Sequence, residues 1–163
     1  MGDRSFYIIL QHDTEYITIN NKIMTREELF EMMNASPVMH LATVDQNGQP
    51  HVRGILMYKA DTDGIIFHTG AMKELHQQLQ ANPKAEVCFN HKGVQIRVDG
   101  NFELVEDDAL VEEIYKHPSR QFMRNWGSLE QIKTFLKVYR MKGGKAHAWT
   151  LADNFAPKEY INL

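Results

Sequence analysis

The stretch IIFHTGAMKELHQQLQANPKAEVCF, residues 65–89, begins as an apolar, strand-like run and continues with a helical pattern. Thr69 and Gly70 stand at the break, and Lys73 follows near the first turn of the predicted helix. A helix start leaves backbone N–H groups unpaired and carries partial positive charge. A hydroxyl and an ammonium group beside it would therefore form a small anion pocket. The alternative is that Thr69 or Gly70 caps the helix and Lys73 is solvated.

The segments around this corner are rich in strand signals. VMHLATV and HVRGILMY are separated by DQNGQP and predict a hairpin, because Asn47-Gly48 tolerates positive φ. Further strands are predicted for GIIFHT, AEVCFN, VQIRVDGNFELVE and KAHAWTL. Gly100 interrupts the longest of these and predicts a bulge or a point of close approach.

Helical patterns flank these strands. Thr25 followed by Glu28 is a capping-box pattern and predicts a helix over about residues 25–35. DDALVEEIYKH and SLEQIKTFLKVYR, the latter with a cap at Ser128, predict a helical segment over residues 106–140. FYIIL and YITI predict a small N-terminal hairpin within residues 1–22.

These elements predict a single mainly β domain over residues 1–163, long enough to bury its own core. Six or more strands form a mostly antiparallel sheet with α-helices outside it. Because closure is the usual way to remove exposed strand edges, we expect the sheet to form a β-barrel.

Composition narrows the function classes. Lys and Arg total 18 against 21 for Asp and Glu, without a basic stripe, which argues against a nucleic-acid partner. Cys88 is the only cysteine, so no internal disulfide can form. Without an apolar run of roughly 18 residues or a signal-peptide pattern, we expect a cytoplasmic protein that is not in a membrane. The eight histidines lack metal-ligand spacing, so no metal is expected.

The predicted hairpin carries a second anion signal. A turn centred on residues 45–48 pairs His40 with Arg53, which then shares a face with His51 and other residues of its strand. A buried guanidinium needs an anionic partner, although an exposed edge-strand arginine would explain the pattern equally well. Gly54 removes a side chain where a flat ligand or another backbone could approach.

The long strand VQIRVDG has one polar face. Gln95, Arg97 and Asp99 alternate with Val94, Ile96 and Val98. A solvated outer face explains this pattern, and the Gln95 amide could also offer donors and acceptors to a heterocycle.

The order of these features resembles the pyridoxamine 5′-phosphate oxidase-like FMN-binding split β-barrels, a group that includes nitroimidazole-resistance-type flavoproteins. The shared order is a capped helix, a hairpin with an arginine on its second strand, a strand ending in threonine, a helix with lysine, then Gln-x-x-Val-x-Gly. The resemblance covers residues 25–105 well and the rest loosely. It implies FMN as cofactor and a homodimer with FMN at the interface.

The resemblance also implies a set of cofactor-binding residues. Arg53 and Lys73 would neutralise the phosphate, Thr69 would donate a hydrogen bond, and Gln95 would address the ring from the partner subunit. Tyr58, His40 and Trp126 are further candidates for lining the cavity. The implied cofactor-binding set is Arg53, Gly54, Ile55, Leu56, Met57, Tyr58, His68, Thr69, Lys73, Gln95 and Trp126.

The implied activity is that of an FMN-dependent oxidoreductase that passes electrons from NAD(P)H to a small-molecule acceptor. The chain departs from the oxidase pattern at Tyr58, where the oxidase has lysine, and at Met72, where it has arginine. FAPKEYINL also lacks the oxidase's Arg-x-His signature, so pyridoxine phosphate oxidation itself is not implied. A non-catalytic flavin or haem carrier, and a structural dimer without cofactor, are the alternatives.

Overall fold

The computed structural model describes residues 16–19 and 22–163. Its helices are α1 (Arg26–Ala35), α2 (Glu74–Ala81), α3 (Asp108–Lys116) and α4 (Leu129–Phe135), with a 3₁₀ helix at Pro118–Asn125. Its strands are β1 (Tyr16–Ile19), β2 (Lys22–Thr25), β3 (Val38–Val44), β4 (Pro50–Leu56), β5 (Lys59–Asp61), β6 (Gly64–Gly70), β7 (Lys84–His91), β8 (Val94–Val105), β9 (Leu136–Met141), β10 (Lys145–Trp149) and β11 (Ile161–Asn162). None of the helices in these described ranges is long and apolar enough to cross a bilayer.

The main sheet is antiparallel and curls around β8. Its strands follow the order β4-β3-β7-β8-β9-β6-β5, and β10 pairs with both β8 and β11. Residues 94–101 of β8 pair with β7, whereas residues 102–105 pair with β9. This change of partner turns the sheet into a half-barrel with helices outside it. The predicted mainly β, antiparallel fold class is therefore confirmed.

Gly100 is the point of close approach in β8. A Cβ atom there would lie 2.9 Å from Met141 Sδ and 3.4 Å from Gly144 Cα. Since this is tighter than ordinary van der Waals contact, the missing side chain lets β8 pass close to the β9–β10 connection where it changes partner.

The core lies inside the curled sheet. Phe67 packs edge-to-face on Phe102 with ring centroids 4.9 Å apart and stacks on Tyr139 at 5.7 Å. A second apolar cluster lies between the sheet and helices α3 and α4, and it includes Met123 of the 3₁₀ helix and Val138 of β9. Burial of Met123 in this cluster fixes the 3₁₀ helix against the sheet.

The hairpin of β3 and β4 is confirmed, but its predicted register is wrong by one residue. His40 lies opposite Gly54, and Leu41 lies opposite Arg53. Five residues, 45–49, separate the two strands rather than four. The Asp45 N–H donates to the Gln49 carbonyl at 3.0 Å, which continues the observed register into the loop. Arg53 therefore shares its face with Leu41 instead of His40.

The helical segment predicted over residues 106–140 is partly wrong. Helix α3 starts at an Asp107 cap and α4 at the Ser128 capping box, as expected. Residues 136–140, however, belong to β9, which pairs with β6 on one side and β8 on the other. Hydrogen bonding to two strand edges and burial of Val138 outweigh the continuation of the helix.

The N-terminal part is described only from residue 16. YITI forms β1, which pairs with β2. FYIIL, the other strand of the predicted hairpin, lies outside the described residues. The helix predicted over about residues 25–35 is confirmed as α1, with Thr25 as its N-cap and Glu28 completing the capping box.

Replacing Gly100 with valine should destabilise the fold by about 1–3 kcal/mol, because the new side chain overpacks the contact with Met141. Gly54→Val is the matched control, since a Cβ at Gly54 meets nothing within 4 Å. Urea unfolding of both variants measures the effect. Equal stability of the two variants would contradict the close approach at Gly100.

Candidate functional site

A cavity of about 450 Å³ opens between the end of β4, the turn after β6 and the 3₁₀ helix. We call it the corner cavity. Backbone from two strands and the turn forms one side, and aromatic side chains form the other. Its lining residues are Gly54, Ile55, Leu56, His68, Thr69, Gly70, Met72, Lys73, Phe122, Trp126, Phe135 and Leu136.

The turn from β6 to α2 supplies the polar end of the corner cavity. Thr69 and Gly70 are the last residues of β6, so the alternative in which one of them caps the helix is wrong. Lys73 is itself the N-cap, and it makes no side-chain capping hydrogen bond. The His76 N–H donates to the Lys73 carbonyl at 3.0 Å, whereas the N–H groups of Glu74 and Leu75 have no partner among the described residues. Two N–H donors beside the Lys73 ammonium group suit an anion.

His68 lines the corner cavity and carries an unsatisfied polar atom. Its Nε2 atom is buried and has no hydrogen-bond partner among the described residues. Burial, with a smaller effect of the Arg120 charge, lowers the pKa of His68 to about 4. The imidazole is therefore neutral at pH 7 and can accept a hydrogen bond or bind a metal atom.

Gly54 leaves open space on the exposed face of β4. A Cβ atom built there meets nothing within 4 Å, and the residue is not among the glycines with positive φ. Neither backbone conformation nor packing among the described residues requires glycine at this position. A ligand or a second chain that approaches the strand closely would require it.

Arg53 lies on the opposite face of β4 and does not line the corner cavity. It donates to Thr43 Oγ1 at 2.5 Å and to Gln78 Oε1 at 2.7 Å, which ties β4 to α2. Burial lowers the pKa of its guanidinium group, while the Glu74 charge opposes this effect. Within the described residues no carboxylate lies within 4.0 Å of Arg53, so its hydrogen bonds go to neutral acceptors and Glu74 acts on it only from a longer distance.

The other predicted site residues are distributed over the molecule. Met57 is buried in the core. The Tyr58 hydroxyl donates to Glu113 at 2.7 Å, and burial, more than the Glu113 hydrogen bond, raises its pKa to about 12. Gln95 lies on the outer face of β8, separated from β4 by two strands, and His40 is exposed on the same face.

Of the two aromatic residues that form one wall of the cavity, Trp126 was in the predicted cofactor-binding set and Phe122 was missed. Phe122 and Trp126, which we call the aromatic wall, pack edge-to-face with ring centroids 5.2 Å apart and are 37% and 52% exposed. Trp126 was expected there only in general terms. Phe122 sits in a short 3₁₀ helix without helical or strand periodicity, and Leu136 was hidden by the wrong helical prediction.

The family model for pyridoxamine 5′-phosphate oxidase matches residues 25–149, which is most of the chain and includes every lining residue of the corner cavity. The chain belongs to the pyridoxamine 5′-phosphate oxidase family. Among curated relatives, the pyridoxine/pyridoxamine 5′-phosphate oxidase of Rhodopseudomonas palustris is 34% identical over 98 residues. That alignment covers 59% of this chain but only 46% of the relative, so less than half of the oxidase is represented.

Solved structures share the split-barrel fold. A NimC/NimA family protein from Clostridium acetobutylicum has a TM-score of 0.69 at 19% identity, covering 84% of this chain and 92% of its own. A pyridoxamine 5′-phosphate oxidase-related, FMN-binding protein from Nostoc punctiforme scores 0.57 at 16% identity, covering 85% and 95%. HutZ, a haem storage protein from Vibrio cholerae, scores 0.58 at 16% identity, covering 77% and 93%. At these identities the likeness shows the fold alone.

Protonation of His68 should weaken the fold in acid. Its pKa is about 4 in the folded protein and near 6.5 when unfolded, so the unfolded chain binds more protons between these values. The free energy of unfolding should therefore fall as the pH drops from 6.5 to 4, by up to about 1.4 kcal/mol per pH unit.

Urea unfolding at several pH values checks this prediction. His68→Gln, which cannot titrate, should flatten the dependence, whereas His40→Gln at an exposed position should leave it unchanged. An unchanged slope in His68→Gln would contradict the burial of a neutral His68.

Proposed function

We propose that this protein binds FMN in the corner cavity and acts as an oxidoreductase that passes electrons from NAD(P)H to a small-molecule acceptor. The observation that carries the proposal is the position of Lys73, at the uncapped start of α2 and in the same cavity as the open strand at Gly54. Membership in the pyridoxamine 5′-phosphate oxidase family and the fold shared with an FMN-binding protein support it.

The lining residues fit a flavin mononucleotide in their chemistry. Lys73 and the first N–H groups of α2 would hold the phosphate, and the Thr69 hydroxyl would donate a hydrogen bond. The strand at Gly54 would lie against the flat ring, with the unpartnered His68 Nε2 at its edge. When bound, FMN supplies hydride and electron transfer, so the chain needs no acid–base pair of its own.

The aromatic wall would receive the second reactant. Phe122 and Trp126 are partly exposed at the cavity, and the lining contains no carboxylate. A planar, apolar and uncharged or anionic acceptor could pack on these rings, which also suit a nicotinamide ring.

The exposed face of β3 and β4 supports the proposal of a homodimer. Val38, Val52 and Leu56 lie on this face and are 58%, 68% and 37% exposed, and Leu56 also lines the corner cavity. In the proposed homodimer this apolar row beside the cavity would form the association surface. Gln95 lies on the same face of the sheet, away from its own cavity, and would address the cavity of the partner subunit.

A haem carrier is the second candidate function, and His68 is the observation that favours it. His68 is a neutral imidazole that lines a largely apolar cavity, and its buried Nε2 atom has no partner among the described residues. If the ring turned this atom toward the cavity, it would be a suitable axial ligand for haem iron. HutZ, which has this fold, is a haem storage protein.

Separate titrations of purified apoprotein with FMN and with haemin distinguish the two functions. Lys73→Ala should weaken FMN binding about 10- to 100-fold, because it removes a charge-assisted hydrogen bond to phosphate. Lys84→Ala, at an exposed lysine on β7, is the matched control and should bind FMN like the wild type. Flavin fluorescence measures the affinity, and bleaching of the flavin by NADH or NADPH without oxygen tests the reductase activity.

The opposite pattern would favour the second candidate. Haemin binding that is lost in His68→Ala, with no FMN affinity in the wild type, would overturn the flavoprotein proposal. FMN that binds but is bleached by neither reductant would restrict the function to flavin carriage.

Val52→Glu should dissociate the proposed dimer, because it places a charge in the apolar row of β3 and β4. The variant should also bind FMN more weakly if Gln95 of the partner subunit contributes to the cavity. Light scattering after gel filtration gives the oligomeric state, and Ile23→Glu, at an exposed site on β2, is the control. A wild type that is monomeric at micromolar concentration would contradict the dimer.

A further inference from the structure

Arg120 is a buried cation immediately behind the corner cavity. Its side chain is 2% exposed. Its Nη2 atom donates to the Met57 carbonyl at 2.5 Å and lies 3.5 Å from the carbonyl of Leu56, a lining residue. Its Nη1 atom donates to Ser119 Oγ at 3.0 Å. The guanidinium group thus joins the 3₁₀ helix to the end of β4.

The charge of Arg120 is not cancelled nearby. Among the described residues no carboxylate lies within 4.0 Å of it, and its buried Nε atom has no partner. Besides the carbonyls and Ser119 Oγ, the Tyr58 ring stabilises the cation, with its centroid 5.6 Å from the guanidinium carbon. Burying a guanidinium group without a counter-ion costs free energy. The positive electrostatic potential of Arg120 therefore extends to the groups around it.

The position of Arg120 in the chain connects it to the aromatic wall. Its backbone has φ −115° and ψ 16°, which breaks the 3₁₀ helix at this residue. Phe122 and Trp126 follow it, and Met123 between them is fully buried. The aromatic wall is therefore held at two points, by Met123 in the core and by Arg120 on β4.

The field of Arg120 reaches the cavity. Its charge contributes, after burial, to the lowered pKa of His68, a lining residue. The cavity's other cation is Lys73, and the lining contains no carboxylate. Negative charge placed in the cavity would therefore be stabilised from both ends.

We propose that Arg120 is a positioning residue with a second, electrostatic role: it fixes the aromatic wall to β4 and makes the cavity bind reduced, more negative FMN more tightly relative to oxidised FMN. The electrostatic part rests on the proposed function, since it requires FMN in the corner cavity. The positioning part does not, because the contacts with Met57 and Ser119 exist without a ligand.

Arg120→Met removes both the charge and the hydrogen bonds to the carbonyls. Arg120→Lys keeps the charge, but a lysine ammonium group lacks the planar guanidinium geometry that bonds to these acceptors together. Arg124→Met is the matched control, because Arg124 is exposed in the same 3₁₀ helix. All variants carry Trp149→Phe, so that fluorescence reports Trp126 alone, and circular dichroism establishes that each is folded.

Three measurements give the expected pattern. Acrylamide quenching of Trp126 should increase in Arg120→Met and Arg120→Lys but not in Arg124→Met. The His68 pKa, followed by NMR, should rise in Arg120→Met alone. In Arg120→Met the dissociation constant for reduced FMN, divided by that for oxidised FMN, should rise about tenfold, which lowers the two-electron potential of bound FMN by about 30 mV. In Arg120→Lys this ratio should stay within about threefold of the wild-type ratio.

The outcomes separate the two proposals. If the wild type binds no FMN, the proposed function and the electrostatic role both fail, while the quenching still decides the positioning role. If Arg120→Met does not fold, Arg120→Lys decides: greater quenching with an unchanged FMN ratio supports the proposal, and wild-type quenching overturns it. An Arg120→Met protein that matches Arg124→Met in all three measurements overturns the proposal outright.

Discussion

The hydrogen bonding of β8 to different partners along its length is the constraint on which the molecule depends. Residues 94–101 of β8 pair with β7, and residues 102–105, which follow the close contact at Gly100, pair with β9. The turn in the sheet brings β9 beside β6, where the Ala71 N–H donates to the Phe135 carbonyl at 2.7 Å. The corner cavity is the space left between this junction and β4, the last strand of the sheet among the described residues.

Two arginines on β4 and at its end, with Lys73, hold positive charge near that space. Arg53 on one side of the strand and Arg120 at its end are both held by neutral oxygen atoms, from Thr43 and Gln78 in one case and from backbone carbonyls in the other. Lys73 adds a third cation at the start of α2. Of these cations, Lys73 lines the cavity and Arg120 lies behind it, whereas Arg53 faces the other side of β4. Burial keeps His68 neutral, and the lining itself contains no carboxylate. An anionic, flat molecule such as FMN satisfies such a surface.

The parts of the fold that could be predicted from the sequence are those set by neighbouring residues. The capping boxes at Thr25 and Ser128, the turn at Asn47-Gly48 and the glycine at position 100 act over a few residues, and their elements form as expected. The predicted hairpin register was wrong because the same loop sequence can form a connection of either four or five residues. Strand β9 was missed because no turn residue separates it from α4, and its two strand partners are distant in sequence.

In the site, too, the residues with local sequence signals could be predicted, and those positioned by distant contacts could not. Gly54, Thr69 and Lys73 carry local signals and do line one cavity, whereas Arg120 and Phe122 take their places only through contacts with β4. A crystal structure of the protein grown with FMN is the most direct test of the account. We expect the phosphate density at Lys73 and the start of α2, with the ring against β4 at Gly54. Flavin bound elsewhere, or a corner cavity that stays empty at saturating FMN, would contradict the account.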